Sequence, residues 1–286
     1  MHFSKFTEAL QAAEYVVKRT TRPEPEILNT AIAAAYALRC GQRFYFPDSQ
    51  NVLEEGRAYD DDVKQLIRLP YPDVCILRET TLNHTEKTWM ISIASDERSE
   101  MFRSMFKWVN ASVFRDSQYV FAVSSVVLYP YGDPVWVPYP VVALLDLGPI
   151  GSSGIHAVGL WRPADLLTPE ACWQELHPDV RAVSNLCVML ALHNVTSREV
   201  SPSLKIIKRR AKRGKRPLFS YHVLSVNGEI WDSPVSGTTT TNGVRSHLRR
   251  GHIRRLHDGR QVWVRSTLVR GAVPGFVAKD YAVMKP

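Results

Sequence analysis

Apolar residues recur three and four positions apart in FTEALQAAEYVVKR (residues 6 to 19), a spacing that predicts an amphipathic helix. PEILNTAIAAAYALRC (residues 25 to 40) repeats the pattern, with Pro25 suited to open a second helix and Gly41 to stop it. Ser49 and the acids Asp60, Asp61 and Asp62 are placed to start two further short helices. Acids at such positions complement a helix dipole, and that reading is preferred over a metal site.

After LPYP the period changes from helical to alternating. DVCILRE, TWMISIAS, YVFAVSSVVLY and VWVPYPVVALLDL are β-branched or aromatic runs divided by Asn, Asp, Gly and Pro, as strands of a sheet would be. RSEMFRSMFKWVNASVF reads as a helix among them. GPIGSSG (residues 148 to 154) is a loop lacking the Gly-Lys-Ser/Thr ending of a phosphate-binding loop and the glycine spacing of a dinucleotide fingerprint. Thr168 and Pro169 then start a helix over PEACWQELH, and PDVRAVSNLCVMLALHN reads as a second, apolar at Val180, Val183, Leu186, Cys187 and Leu190. His193 at its C-terminal end suits the dipole there.

Eight of the twelve residues from Lys205 to Arg216 are basic, and Gly214 and Pro217 are expected to keep this run irregular. PLFSYHVLSV-NG-EIWDS predicts a hairpin with Asn227 and Gly228 as a two-residue turn. A second hairpin is expected about Asp258 and Gly259. With those two residues as the loop, Arg254 pairs with Trp263 and Ile253 with Val264. Ile253, Val262 and Val264 then share one face, and Arg250, His252, Arg254, Trp263 and Arg265 share the other. Guanidinium groups beside a flat ring suit phosphates and a stacked base, although Arg254 lying on Trp263 as a cation–π pair would explain the same face.

Charge sharpens this picture. Residues 201 to 286 hold 18 Lys and Arg against 4 Asp and Glu, a net of +14, while residues 1 to 200 carry a net of −6. An acidic body with a basic end points to a polyanionic partner at that end. No window approaches the roughly 18 apolar residues of a membrane span, and MHFSKFTEALQAAE lacks the apolar core of a signal peptide. A soluble, unsecreted protein is therefore expected. Cys40, Cys75, Cys172 and Cys187 form no paired motif and read as buried reduced thiols. The sequons at Asn83, Asn110 and Asn194 carry no weight without secretion.

His247, His252 and His257 are five residues apart, which puts successive rings on opposite faces of a strand, so no metal site and no cofactor is expected. Metal-independent RNA cleavage remains open: His222, His247 and His252 with flanking arginines could supply the base, the acid and the phosphate cations. Pro72-Asp73 lacks the Glu-x-Lys that a PD-(D/E)xK nuclease needs.

NVTSREV, KRRAKRGKRPLFSYHVLSV and SHLRRGHIRRLHDGRQVWVRSTLVRG, taken in that order, resemble the C-terminal signature of a group of tailed-bacteriophage and prophage proteins. The similarity runs from about residue 194 to 271, and LPYPDVCILRE is a looser match to an earlier part of the group. The resemblance implies a phage origin and the cytoplasm of a host bacterium, without implying an activity.

The expectation is an α+β protein: a helical N-terminal part, a mixed β-sheet with helices, and a C-terminal basic β-hairpin module. Residues 1 to 200 would form the acidic body, and residues 201 to 286 the module packed on it. The expected partner is DNA or RNA, held by Lys208, Arg209, Arg210, Arg213, Arg250, Arg254 and Arg265, with Trp263 as a stacking platform. The alternatives are an inhibitor that binds a host defence protein, and an endoribonuclease using His252, His247 and His222. Residues 1 to 200 display no substrate pocket at the level of sequence.

Overall fold

The first apolar stripe folds as its spacing requires: helix α1 (Phe3–Arg19) buries Phe3, Phe6, Ala9, Leu10 and Ala13. Helix α2 (Pro25–Cys40) packs beside it and ends at Gly41, whose amide donates to the Ala37 carbonyl at 2.7 Å. A Cβ at Gly41 would lie 2.5 Å from that same oxygen, so the chain leaves the helix where only glycine fits. The computed structural model describes residues 2–19, 25–47, 66–82, 86–106, 119–130, 133–147, 156–161, 168–192, 194–226, 245–249, 252–264, 267–269 and 273–276. The helix starts at Ser49 and at Asp60 to Asp62, the loop 148 to 154, His193, Asn83 and Asn110 lie outside the described residues, as do Arg250 and Arg265.

The fold is α+β. Strand β1 (Gln42–Tyr45) comes directly out of α2 and runs parallel to β2 (Asp73–Leu82). The long apolar runs supply β3 (Glu86–Asp96), β4 (Val120–Tyr129), β5 (Val135–Pro138), β6 (Val142–Asp146) and β7 (His156–Trp161), all joined antiparallel. Strands β8 (Val195–Val200) and β9 (Tyr221–Val226) complete a nine-stranded mixed sheet of order β7-β6-β4-β3-β2-β1-β9-β8, with β5 on β4. Short helix α3 (Glu100–Met105) follows β3, with the Ser99 hydroxyl accepting from the Phe102 amide.

Neighbouring residues on a strand point to opposite faces, which sorts the helices. Cys75, Leu77, Ile91 and Ile93 pack with α1 and α2 residues Phe3, Phe6, Leu10 and Leu38 in one core cluster. Each such side chain, fully buried, contributes about 1.5–3 kcal/mol. Arg78 and Ser92, one position on, reach the opposite face and bond to Asp179 of α4 (Pro169–Ala191). The sheet is therefore covered on both sides.

Two expectations about helices are corrected. Thr168 does cap α4, its hydroxyl accepting from the Ala171 amide at 3.2 Å, but the two helices expected after it are one, with Pro178 in its interior. Residues 182 to 189 of α4 are buried all round, so packing holds the helix through a residue that local propensity would break. The basic run is not irregular either. Pro202 and Ser203 lead into helix α5 (Leu204–Lys212), and Gly214 ends it with φ of 61°, a left-handed conformation suited to glycine just past a helix.

The chain forms two compact units. One comprises Met1–Ala191 with Ser197–Leu224, and the other Leu192–Thr196 with Ser225–Pro286. The division falls at Leu224 rather than at residue 200, because β9 joins the main sheet, parallel to β1, with Phe44 opposite His222. The expected turn at Asn227 and Gly228 lies outside the described residues. The second unit holds a three-stranded sheet of β10 (Arg245–Arg249), β13 (Thr267–Val269) and β14 (Val273–Phe276), and the hairpin of β11 (His252–Arg255) and β12 (Gln261–Val264).

Candidate nucleic-acid interface

Helix α5 gathers the cations of the basic run into a pattern. At 100° per residue, Lys205, Lys208, Arg209 and Lys212 fall on one face, spaced i, i+3, i+4 and i+7. All four are exposed, no α5 residue is buried, and none of these four makes a salt bridge among the described residues. Along the axis they span about 10 Å at 1.5 Å per residue. That is roughly three phosphate steps of one strand at 3.4 Å each. Cations toward the C-terminal turn also suit the helix dipole.

The far side of the helix is tethered. Ile206 and Arg210 are half-buried, and Arg210 Nε donates to the Arg216 carbonyl at 3.0 Å. Arg216 Nη1 in turn meets Glu14 Oε2 of α1 at 2.5 Å, and Glu14 Oε1 meets Arg39 Nη2 of α2 at 2.6 Å. Burial pushes the Glu14 carboxyl up, but the hydrogen bonds and charges of Arg216 and Arg39 outweigh it and hold the group below its ordinary range. Thr7 Oγ1 donates to the Pro217 carbonyl at 3.0 Å, and Arg43 lies 3.9 Å over the Phe219 ring. The segment after α5 is thus fastened to the body while the four-cation face points to solvent.

Of the residues expected on phosphates, Lys208 and Arg209 lie on the exposed stripe and Arg213 caps the helix end. Arg210 faces the tether instead. Lys205 and Lys212, which complete the stripe, escape a reading that takes the run as irregular. Their spacing is visible only once the segment is treated as helix.

The second hairpin differs from its expected register by one residue. His252 pairs with Val264, Ile253 with Trp263, Arg254 with Val262 and Arg255 with Gln261. The loop has three residues, His257, Asp258 and Gly259. It is closed by the Leu256 amide on the Arg260 carbonyl at 2.8 Å, and Gly259 has φ of 82°. Asp258 Oδ1 accepts from the Arg260 amide and Oδ2 from its guanidinium, which holds the Asp258 carboxyl below its usual range. A one-residue shift exchanges the two faces. Trp263 therefore stands opposite Ile253, and Arg254 opposite Val262, so the expected pairing of Arg254 with Trp263 is corrected.

The three histidines considered for RNA cleavage lie in three separate sheets: His222 on β9, His247 on β10 and His252 on β11. His222 Nδ1 is bonded to the Ser197 hydroxyl at 2.8 Å. Cys75, Cys172 and Cys187 are buried as expected, whereas Cys40, at the last position of α2, is exposed. Burial pushes the Cys75 and Cys187 thiols up to about 12. Among the described residues no group of three or more His, Cys, Asp or Glu could hold a metal ion, and no helix is long and apolar enough to cross a membrane.

Against known protein families, curated proteins and solved structures, the chain shows no significant match in any of the three comparisons.

Proposed function

We propose that this protein binds nucleic acid through the backbone phosphates, with α5 as the grip, and that it acts on phage or host nucleic acid in an infected bacterium. The observation that carries the reading is the exposed stripe of Lys205, Lys208, Arg209 and Lys212, tethered from behind by Arg210 and Arg216. The net charge of +14 over residues 201 to 286 agrees with it. The resemblance of the region from about residue 194 to 271 to phage and prophage proteins supports the setting.

Four phosphate contacts imply a log–log salt slope of about −3.6 on duplex DNA, so affinity should fall roughly a hundredfold between about 50 and 200 mM salt. Replacing Lys205, Lys208, Arg209 and Lys212 together by Gln should abolish most of that slope, and Arg209→Gln should cost more affinity than Arg210→Gln. Binding titrations on single- and double-stranded DNA and RNA measure both. Absence of binding to all of them at low salt, or an unchanged slope in the fourfold variant, sinks the reading.

One observation favours a second reading, an inhibitor that docks on a host defence protein. Tyr129, Val135 and Val137 are 38%, 53% and 37% exposed, and they share one face of the β4–β5 pair, where Tyr129 stands opposite Val135. A pull-down from nuclease-treated host lysate should then retain a specific protein that Val135→Lys releases.

A further inference from the structure

An open cleft of about 320 Å³ lies between the end of α2 and the start of α3, within the first unit and apart from α5. Its size is at the lower end of pockets that hold small organic ligands. Three kinds of side chain converge on it. Tyr36 and Tyr71 supply aromatic rings, and Tyr71 is 42% exposed. Asp73, only 6% exposed, and the exposed Glu100 supply carboxylates. Arg98 and Arg103 supply guanidinium groups.

The arginines are held in place with donors to spare. Arg98 Nε reaches both oxygens of the buried Asp96 at 3.0 Å, and its Nη2 bonds Asp96 Oδ2 at 2.7 Å and the Leu69 carbonyl at 2.5 Å. Tyr119 fixes that carboxylate from the other side, donating to Asp96 Oδ2 at 2.6 Å. Arg98 Nη1 takes no part in this lock. Arg103 Nη1 donates to the Glu97 and Arg98 carbonyls at 2.9 and 3.2 Å, leaving its Nε and Nη2 free among the described residues. Asp73 accepts the Ser95 hydroxyl on Oδ1 at 2.6 Å and a further hydrogen bond from the Ser99 side chain; burial, the larger effect, raises its carboxyl, and these two bonds favour the ionised, accepting form.

These groups select one ligand chemistry. The Asp96 carboxylate neutralises Arg98, which leaves Arg103, beside the acidic Glu100, as the cation for an anionic group. Tyrosine faces favour a planar ring. A carboxylate is acceptor-only when ionised, so it favours a ring edge carrying two adjacent donors. Among the nucleobases guanine has such an edge in its N1–H and 2-amino group, whereas adenine, cytosine and uracil set acceptors beside their donors. We propose that the cleft binds a guanine mononucleotide, its base on the exposed Tyr71 ring with its edge on Asp73 and its phosphate on Arg103. The proposal does not rest on the reading of α5.

Cys40 lines the same cleft and is the exposed one of four cysteines, so its alkylation rate reports occupancy. Guanosine monophosphate should protect Cys40 in the full-length protein and bind measurably by calorimetry. Inosine monophosphate, which lacks the 2-amino group, should bind about tenfold more weakly, as should adenosine monophosphate. Arg103→Gln should weaken the nucleotide about tenfold while leaving the nucleoside guanosine unchanged. Asp73→Asn should abolish the preference for guanine over inosine. Should that variant not fold, the guanosine and inosine nucleotides compared on the unaltered chain read the same hydrogen bond. Equal affinity for both nucleotides, equal affinity for inorganic phosphate alone, or binding that leaves Cys40 reactive would overturn the proposal.

Discussion

Arg78 is fully buried, and its guanidinium is met by Asp179 Oδ1 at 2.8 Å, by Ser92 Oγ at 2.8 Å and by Met90 Sδ at 2.8 Å. Arg78 Nη1 and Asp179 Oδ2 have no partner among the described residues. An ion pair out of water stabilises little by itself, yet removing one member strands the other charge. Asp179→Ala should therefore cost about 3–5 kcal/mol in denaturant unfolding. Arg78→Met combined with Asp179→Leu should recover most of that loss, and a double variant as unstable as the single one would refute the ion-pair account. Glu14 supplies the pH term. Its folded pKa lies below the ordinary 4.5, so its contribution is complete above that value and fades as pH falls through the folded pKa. The gap in melting temperature between the natural chain and Glu14→Gln should thus close between about pH 6 and about pH 3.

At the level of elements, two glycines separate conformational cost from steric cost. Gly214 has φ of 61°, and a Cβ placed there would meet nothing within 4 Å, so Gly214→Ala should lose about 1 kcal/mol through backbone strain alone. Gly41→Ala drives a Cβ to within 2.5 Å of a backbone oxygen and should cost more, as thermal melts of the two variants will show. In α4, Pro178 removes a backbone donor from the helix interior. Pro178→Ala should raise stability by about 1 kcal/mol or more, and a loss instead would mean that the proline ring is needed in the packing around Asp179.

For the whole molecule, the main sheet and both of its helical layers are complete by Val226, the end of β9 and two residues past the end of the first unit. A chain ending at Val226 should keep a single cooperative melt and the salt-dependent binding assigned to α5. If it melts without cooperativity, the second unit is required for the first to fold. If it folds and binds no nucleic acid, the interface belongs to residues beyond Val226 and not to α5.

Local features follow from the order of residues alone. The three-and-four spacing around Phe6 and Leu10 made α1, Pro25 and Gly41 bounded α2, Thr168 capped α4, and the β-branched runs became β2, β3 and β4. Each of these is written within one or two turns or one pleated run, so a short window contains the physical cause. Folding in three dimensions settles what joins distant segments: β1 taking β9 as a parallel neighbour, Arg78 meeting Asp179, and residues from α2, β2 and α3 framing one cleft. It also settles the two cases where local preference is weak. The basic run is helical because its far side is tied to α1 through Arg216 and Glu14, and the second hairpin shifts by one residue because Gly259 takes a left-handed turn in a three-residue loop. Periodicity records which way a residue faces its own element, whereas pairing register and side-chain meetings depend on contacts that no local stretch contains.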